Sequence, residues 1–366
     1  MKGLPFVLLF TAMTFMAWGA YGPILHHGTA ELSDSMRAFV GVGVAYFLIA
    51  VLFPFLALRR GKEPGQWTLT GIVYSLIAGS VGAVGALGVI LALAYGGRPV
   101  YVMPLVFGFA PVVNTLVTAY LSQSFSQVRP LFLVGILAAA LGAGGVLFFK
   151  PAPASAAHHP PESSTAAASE NDPAAEEAKS DVAPATAGGS STMGIVISIV
   201  IAAFCWGSYG PMLHIGQAKM SGSRLRPFAC VGMAYFFIAV AAPLMIIYSR
   251  STPFGSWTTM GMTFSFLAGV AGAIGALGVI LAFNAGGKPY YVMPLIFGFA
   301  PVINTFISLT EAGTWSRVEL RFWISLAVVI AGAVTVLINA PKPNPAKGAH
   351  TSPTDKKPQL ETQPSA

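Results

Sequence analysis

The sequence predicts an all-α integral membrane fold: ten transmembrane helices arranged as two inverted five-helix repeats. Three observations carry that expectation. Hydrophobic residues make up 55% of the 366 and charged residues 9%. Soluble domains run near a quarter charged, so a water-exposed surface cannot be built from this composition. The apolar residues fall in blocks of about 20, the length that crosses a bilayer. The second set of blocks also repeats the first, with 32 of 55 positions identical between residues 67–121 and 257–311, which marks a duplication.

The blocks place helices near 4–25, 37–58, 68–95, 100–121 and 130–149, then near 193–217, 227–248, 258–285, 289–311 and 321–340. Helices are the form to expect, because backbone polar groups in lipid must be satisfied within the segment. A membrane barrel would alternate polar with apolar residues, and these blocks do not. The first repeat is thus 1–150 and the second 191–340. Between them, residues 151–190 are rich in Ala, Pro, Ser and Glu and lack aromatics, the composition of a solvated disordered linker. The tail 341–366 reads the same way. No role is assigned to His158 and His159 in the linker. Lys2, the run Leu4 to Phe10 and the Ala17–Ala20 stretch have the outline of a signal peptide. The same Trp-Gly element recurs at Trp206-Gly207, far from the N-terminus, so a retained helix is expected. Cys205 and Cys230 align with Ala17 and Gly41 and are read as packing residues.

An odd number of helices per repeat sends the second copy into the membrane from the opposite side, which makes the repeats inverted. The positive-inside rule then sets the orientation. With the N-terminus inside, the inner segments carry 13 Lys and Arg and the outer segments 7. Both termini are expected in the cytoplasm, the linker outside, and the chain in the cell membrane. The net charge of +7 comes from these scattered residues. It forms no phosphate-binding face, so nucleic acid is not an expected partner. The lipid bilayer and a small solute are. The oligomeric state is not readable.

Inverted repeats put substrate sites near the midplane, beside helix irregularities. Pro104 and Pro111 in the fourth block are matched by Pro294 and Pro301. Each proline removes a backbone donor, so helix breaks are expected there. The same blocks carry Tyr101 with Tyr291 and Asn114 with Asn304. A mid-span amide serves either an interhelical hydrogen bond or a solute. A second matched element runs Trp18-Gly19-Ala20-Tyr21-Gly22-Pro23 and Trp206-Gly207-Ser208-Tyr209-Gly210-Pro211. At 1.5 Å per residue, Trp18 lies about 21 Å along its helix, inside the apolar slab. Trp18, Tyr21, Trp206 and Tyr209 therefore either line a pathway or pack the core. His26 and His214 lie a turn further on, as proton relays or as structural hydrogen-bonding groups. Gly79, Gly82, Gly85 and Gly88, matched by Gly269, Gly272, Gly275 and Gly278, form a small face for close helix packing. Only Glu311 among the acidic residues falls within a span, at its end. No nucleotide-binding loop, metal-ligand set or nucleophile constellation is present, so no enzyme, cofactor or metal is expected.

Trp18-Gly19, Trp206-Gly207, Arg37, Arg226, the Pro111 and Pro301 helices, Glu311 and Ala331-Gly332-Ala333 together resemble the drug/metabolite transporter superfamily, in its EamA-like branch. The resemblance spans both repeats and omits the linker and tail. It implies a carrier with a central cavity lined by the first, third and fourth helices of each repeat, and it names no substrate. The first repeat has Leu121 or Ser122 where the family's glutamate belongs. The expected activity is alternating-access transport of a neutral or zwitterionic polar metabolite, such as a sugar or an amino-acid-like solute. The rival is a non-transporting membrane sensor or scaffold that uses the linker as an external tether.

Overall fold

A computed structural model describes residues 2–61, 63–95, 99–123, 125–149, 192–249 and 257–339, with Pro151 and Pro341. The linker expected over 152–190, with His158 and His159, and the tail from 342 lie outside these residues. So do the side chains of Tyr101 and Pro104. The described residues are helical, joined by short turns, and contain no strand. In chain order the helices are α1 (Leu4–Leu32), α2 (Ser35–Tyr46), α3 (Phe53–Arg59), α4 (Leu69–Ala94), α5 (Pro99–Leu121) and α6 (Pro130–Phe148). They continue with α7 (Thr192–Lys219), α8 (Leu225–Phe236), α9 (Ala242–Ser249), α10 (Thr259–Asn284), α11 (Pro289–Ala312) and α12 (Leu320–Asn339). Eight helical rods are long and apolar enough to cross a membrane, counting α2–α3 and α8–α9 as one rod each. α5 and α6 carry shorter described apolar stretches, Leu105–Leu121 and Pro130–Val146. Large apolar side chains such as Leu9, Phe53, Leu141, Val200 and Ile338 point outward. That is the surface of a multi-pass membrane protein, whose solvent is hydrocarbon.

The helix interruptions differ from the sequence expectation. α5 and α11 run unbroken through Pro104, Pro111, Pro294 and Pro301. Pro23 and Pro211 likewise lie inside continuous α1 and α7. Side chains back-bond near the proline sites, with the Thr115 hydroxyl donating to Pro111 O at 3.0 Å and the Thr305 hydroxyl to Pro301 O at 2.9 Å. The irregular turns are elsewhere. α2 passes into α3 through a π-helical segment, Phe47–Leu52, and α8 passes into α9 through another, Phe237–Ala241. In each, a backbone N–H reaches five residues back, Phe53 to Leu48 and Ala242 to Phe237. The cause is Pro54 and Pro243, which follow at once and cannot donate to Ala50 and Ala239. Such π turns are frequent at functional sites.

Helices from the two halves of the chain interleave. α10 packs along α1 and α2, with α11 against α1; α4 packs along α7 and α8, with α5 against α7. Two mixed bundles result, one of α1, α2–α3, α10 and α11, the other of α4, α5, α7 and α8–α9. α6 and α12 pair with each other and lean on α5 and α11. The glycine faces of α4 and α10 make this possible. A Cβ on Gly272 would sit 2.9 Å from Tyr46 Cε2, one on Gly82 3.1 Å from Tyr235, one on Gly79 2.7 Å from Val231 Cα. Gly85 and Gly275 would collide with the indoles of Trp206 and Trp18. The faces serve close packing, and Gly82, Gly85, Gly272 and Gly275 on them seat aromatic residues of the other half.

Gly272→Val and Gly82→Val should each lower stability by about 1–3 kcal/mol, the usual cost of overpacking. Gly108→Ala is the control, since its nearest neighbour would be Ala140 Cβ at 4.0 Å. Thermal unfolding in detergent reads the difference; equal melting of all three would contradict the interleaved packing.

Candidate functional site

The two mixed bundles meet where α2 ends against α8. There the rings of Tyr46 and Tyr235 stack, centroids 3.9 Å apart and planes 2° from parallel. Phe47 and Phe236 meet beside them at 4.8 Å. Gly43 lies against Val240 and Ala239, and Gly232 against Ala50 and Val51. The π turns thus place their wide backbone at the crossing.

Around this stack α1 presents Trp18 and Tyr21, and α7 presents Trp206 and Tyr209. The Trp18 indole N–H donates to Gly272 O at 3.1 Å, and the Trp206 indole N–H donates to Gly82 O at 3.2 Å. Trp18 also meets Tyr209 edge-on at 5.9 Å. Tyr21 and Tyr235 pack against the same apolar cluster that buries Tyr46 and Tyr209. Tyr209 is 4% exposed, and its hydroxyl has no hydrogen-bond partner among the described residues. Phe107, from α5, joins Trp206 to Phe297. The centre is therefore a six-ring Trp/Tyr assembly with polar tips inside an apolar cluster.

Two amides flank it. Asn114 is fully buried beside Gly210; its Nδ2 donates to Pro289 O, the first carbonyl of α11, at 2.9 Å, while its Oδ1 has no partner among the described residues. Asn304, the matching residue, lies against Gly22 and is half-buried. It makes no corresponding bond among the described residues.

The ends of the assembly differ. On the face where α1 begins, Gln217 Nε2 donates to Ile280 O at 3.0 Å, Asn284 Nδ2 to Gly222 O at 2.8 Å, and the Ser122 and Tyr290 hydroxyls meet at 2.7 Å. Glu63 accepts from the Ser223 hydroxyl and the Arg224 and Leu225 amides, capping α8, and pairs with Arg226 at 3.5 Å. The first three contacts seal α5 and α7 against α10 and α11, and the Glu63 cluster ties the turn before α4 to the start of α8. On the opposite face, Thr258 reaches Glu31 O, and Asp34 caps α2. No packing comparable to that between α5 and α11 joins α1 to α4 or α5 among the described residues.

Trp18, Tyr21, Trp206, Tyr209, Asn114 and Asn304 are thus gathered around one centre. Tyr291 is not with them: its hydroxyl turns back to Gly286 O at 3.4 Å, at the sealed end. His26 is exposed, and its neighbour His27 is the histidine that meets Glu311, at 3.6 Å. His214 is half-buried, edge-on to Phe283 at 5.0 Å. Tyr46 and Tyr235 were missed by sequence reasoning. Their signal was an identical Ala-Tyr-Phe in mid-span with proline eight residues on in both repeats. Among the described residues, no three His, Cys, Asp or Glu side chains gather to hold a metal. The chemistry offered is stacking on π faces plus hydrogen bonds from neutral hydroxyls and amides.

No protein-family model matches this chain, and no curated protein matches it. One solved structure, described only as "Crystal structure of protein", superposes with a TM-score of 0.58, covering 92% of this chain and 99% of its own at 15% identity. At that identity the likeness concerns the fold alone.

A double-mutant cycle over Tyr46→Ala and Tyr235→Ala should give a coupling of about 0.5–1.5 kcal/mol, the range for stacked aromatic pairs. Additive losses in unfolding free energy would mean that the rings do not hold the crossing together.

Proposed function

We propose that this protein is a secondary carrier of the EamA-like kind, with ten membrane-crossing helices in two inverted repeats, both termini cytoplasmic and the linker outside. It moves a small neutral or zwitterionic polar solute across the cell membrane by alternating access. The observation that carries the reading is the unequal treatment of matching residues around one aromatic centre. Asn114 is locked beneath a sealed face, while Asn304 stays half-buried and makes no corresponding bond among the described residues below the other. A static scaffold has no need of two chemically matched half-sites held in different states. A carrier does, because each half-site must close in turn.

The solute class follows from the wall. Trp and Tyr faces stack on the apolar side of a sugar or an amino-acid-like molecule, and hydroxyls and amides supply its hydrogen bonds. The ion pairs among the described residues, Glu63 with Arg224 and Arg226, Asp34 with Arg37, and His27 with Glu311, lie toward the helix ends, so among these residues a strongly charged solute would find no counter-ion at the tyrosine stack. The six rings and two amides support uptake of one solute at the crossing.

A thermal-shift screen of the full chain against sugars and amino acids should find a stabilising solute. At 100 times its dissociation constant, the gain is about 2.7 kcal/mol. Liposome flux of that solute should fall in Asn304→Ala and Trp206→Ala, and survive deletion of residues 155–188. Loss of flux on that deletion, with both point variants at full rate, would favour the tethered sensor or scaffold instead.

A further inference from the structure

Three features distinguish the sealed half of the centre from its sequence counterpart. Asn114 Nδ2 is bonded to Pro289 O, whereas Asn304 has no such bond among the described residues. Met293, on the first turns of α11, is fully buried with its Cγ and Sδ against Gly210. Its counterpart Met103 is only half-buried, and the atoms facing Gly22 belong to Asn304 instead. Leu295 is 6% exposed and its counterpart Leu105 is 40% exposed. The first two of these contacts join α11, in one mixed bundle, to α5 or α7, in the other. The bond and the plug thus cross the boundary between the bundles, on the sealed side of the tyrosine stack.

We infer that Asn114 on Pro289 O and Met293 on Gly210 form a latch that holds the face where α1 begins closed, and that Asn304 and Met103 are the matching latch for the opposite face. The two latches are exclusive. Each requires the bundles to approach at its own end, and the Tyr46–Tyr235 contact between those ends allows one approach only at the expense of the other. In the second state, Asn304 donates to the first carbonyl of α5, Pro99 O, and Met103 moves onto Gly22. The inference rests on the carrier reading and adds to it the residues that set the balance of states. An amide–carbonyl contact between membrane helices contributes about 0.6 kcal/mol, which corresponds to about a threefold change in a two-state ratio.

The test measures distances between spin labels on the full chain in lipid nanodiscs, with no solute added. The background is Cys205→Ala/Cys230→Gly, the residues that the first repeat carries at those positions. One label pair spans the sealed face, Gln123→Cys on the turn after α5 and Lys288→Cys before α11. The other spans the opposite face, Glu31→Cys on α1 and Tyr95→Cys after α4. All four positions are exposed. Asn114→Ala should lengthen the first distance and shorten the second together, changing the population ratio about threefold. Met293→Ala should shift both in the same direction. Asn114→Ala/Asn304→Ala should return toward the parent ratio, a rescue that a merely structural role for Asn114 would not produce. An unchanged ratio in Asn114→Ala, lengthening at one face without shortening at the other, or a double variant that stays at the single variant's ratio would each overturn the latch. If the parent shows one fixed distance at each face and no solute of the panel is transported, the carrier reading itself fails; two populations that ignore Asn114 sink the latch alone.

Discussion

The stack of Tyr46 on Tyr235 is the contact on which the rest of the architecture depends. It joins two bundles, each built from both halves of the chain, at the point where their second rods cross. For the rings to meet at 3.9 Å, the surrounding backbones must come close. Glycines on α4 and α10 permit that, since a side chain at Gly82 or Gly272 would occupy the space of the tyrosines themselves. The prolines that follow, Pro54 and Pro243, widen the helix just after each tyrosine. Close approach, wide turn and stacked pair form one structural unit, repeated twice and meeting itself.

Once the crossing is fixed, the remaining aromatics have few options. Trp18 and Trp206 hang their indole N–H groups on Gly272 and Gly82 carbonyls, the two glycines next to which Tyr46 and Tyr235 sit. Polar atoms in an apolar interior need partners, and here the glycine helices supply carbonyls that side chains would otherwise cover. Among the described residues, the Tyr209 hydroxyl and the Asn114 carbonyl oxygen keep no partner. Both atoms are buried at the meeting of the two bundles, Asn114 against Gly210 and Tyr209 edge-on to Trp18.

Much of this was legible in the sequence. Block length and the scarcity of charge gave helices of membrane-crossing size, and the repeat singled out Trp18, Tyr21, Asn114 and their partners as a matched set. Other parts were not legible, for identifiable reasons. The paired prolines of the fourth block predict breaks, yet α5 and α11 absorb theirs, whereas Pro54 and Pro243 change the helix type. Proline alone does not say whether a helix bends, tolerates the lost bond or shifts to a wider turn; the neighbours decide. Helix α1 extends to Leu32, well past the 25 expected, because the Tyr21-Gly22-Pro23 element continues the helix rather than ending it. The interleaving of halves was also hidden, since a repeat shows which residues correspond but not which ones touch. His27 rather than His26 meets Glu311 for a related reason: adjacent residues on a helix point about 100° apart, and sequence position alone does not choose between them.

The central claim is that two interleaved bundles cross at the tyrosine stack and receive solute beside it. A single-particle structure of the full chain in a lipid nanodisc, with a stabilising solute present, tests it most directly. The account predicts Tyr46 and Tyr235 in face-to-face contact, α4 along α7 and α10 along α1, and solute density touching Trp18, Tyr21 and Asn304. Lipid between α2 and α8, or solute bound away from these aromatics, would contradict it.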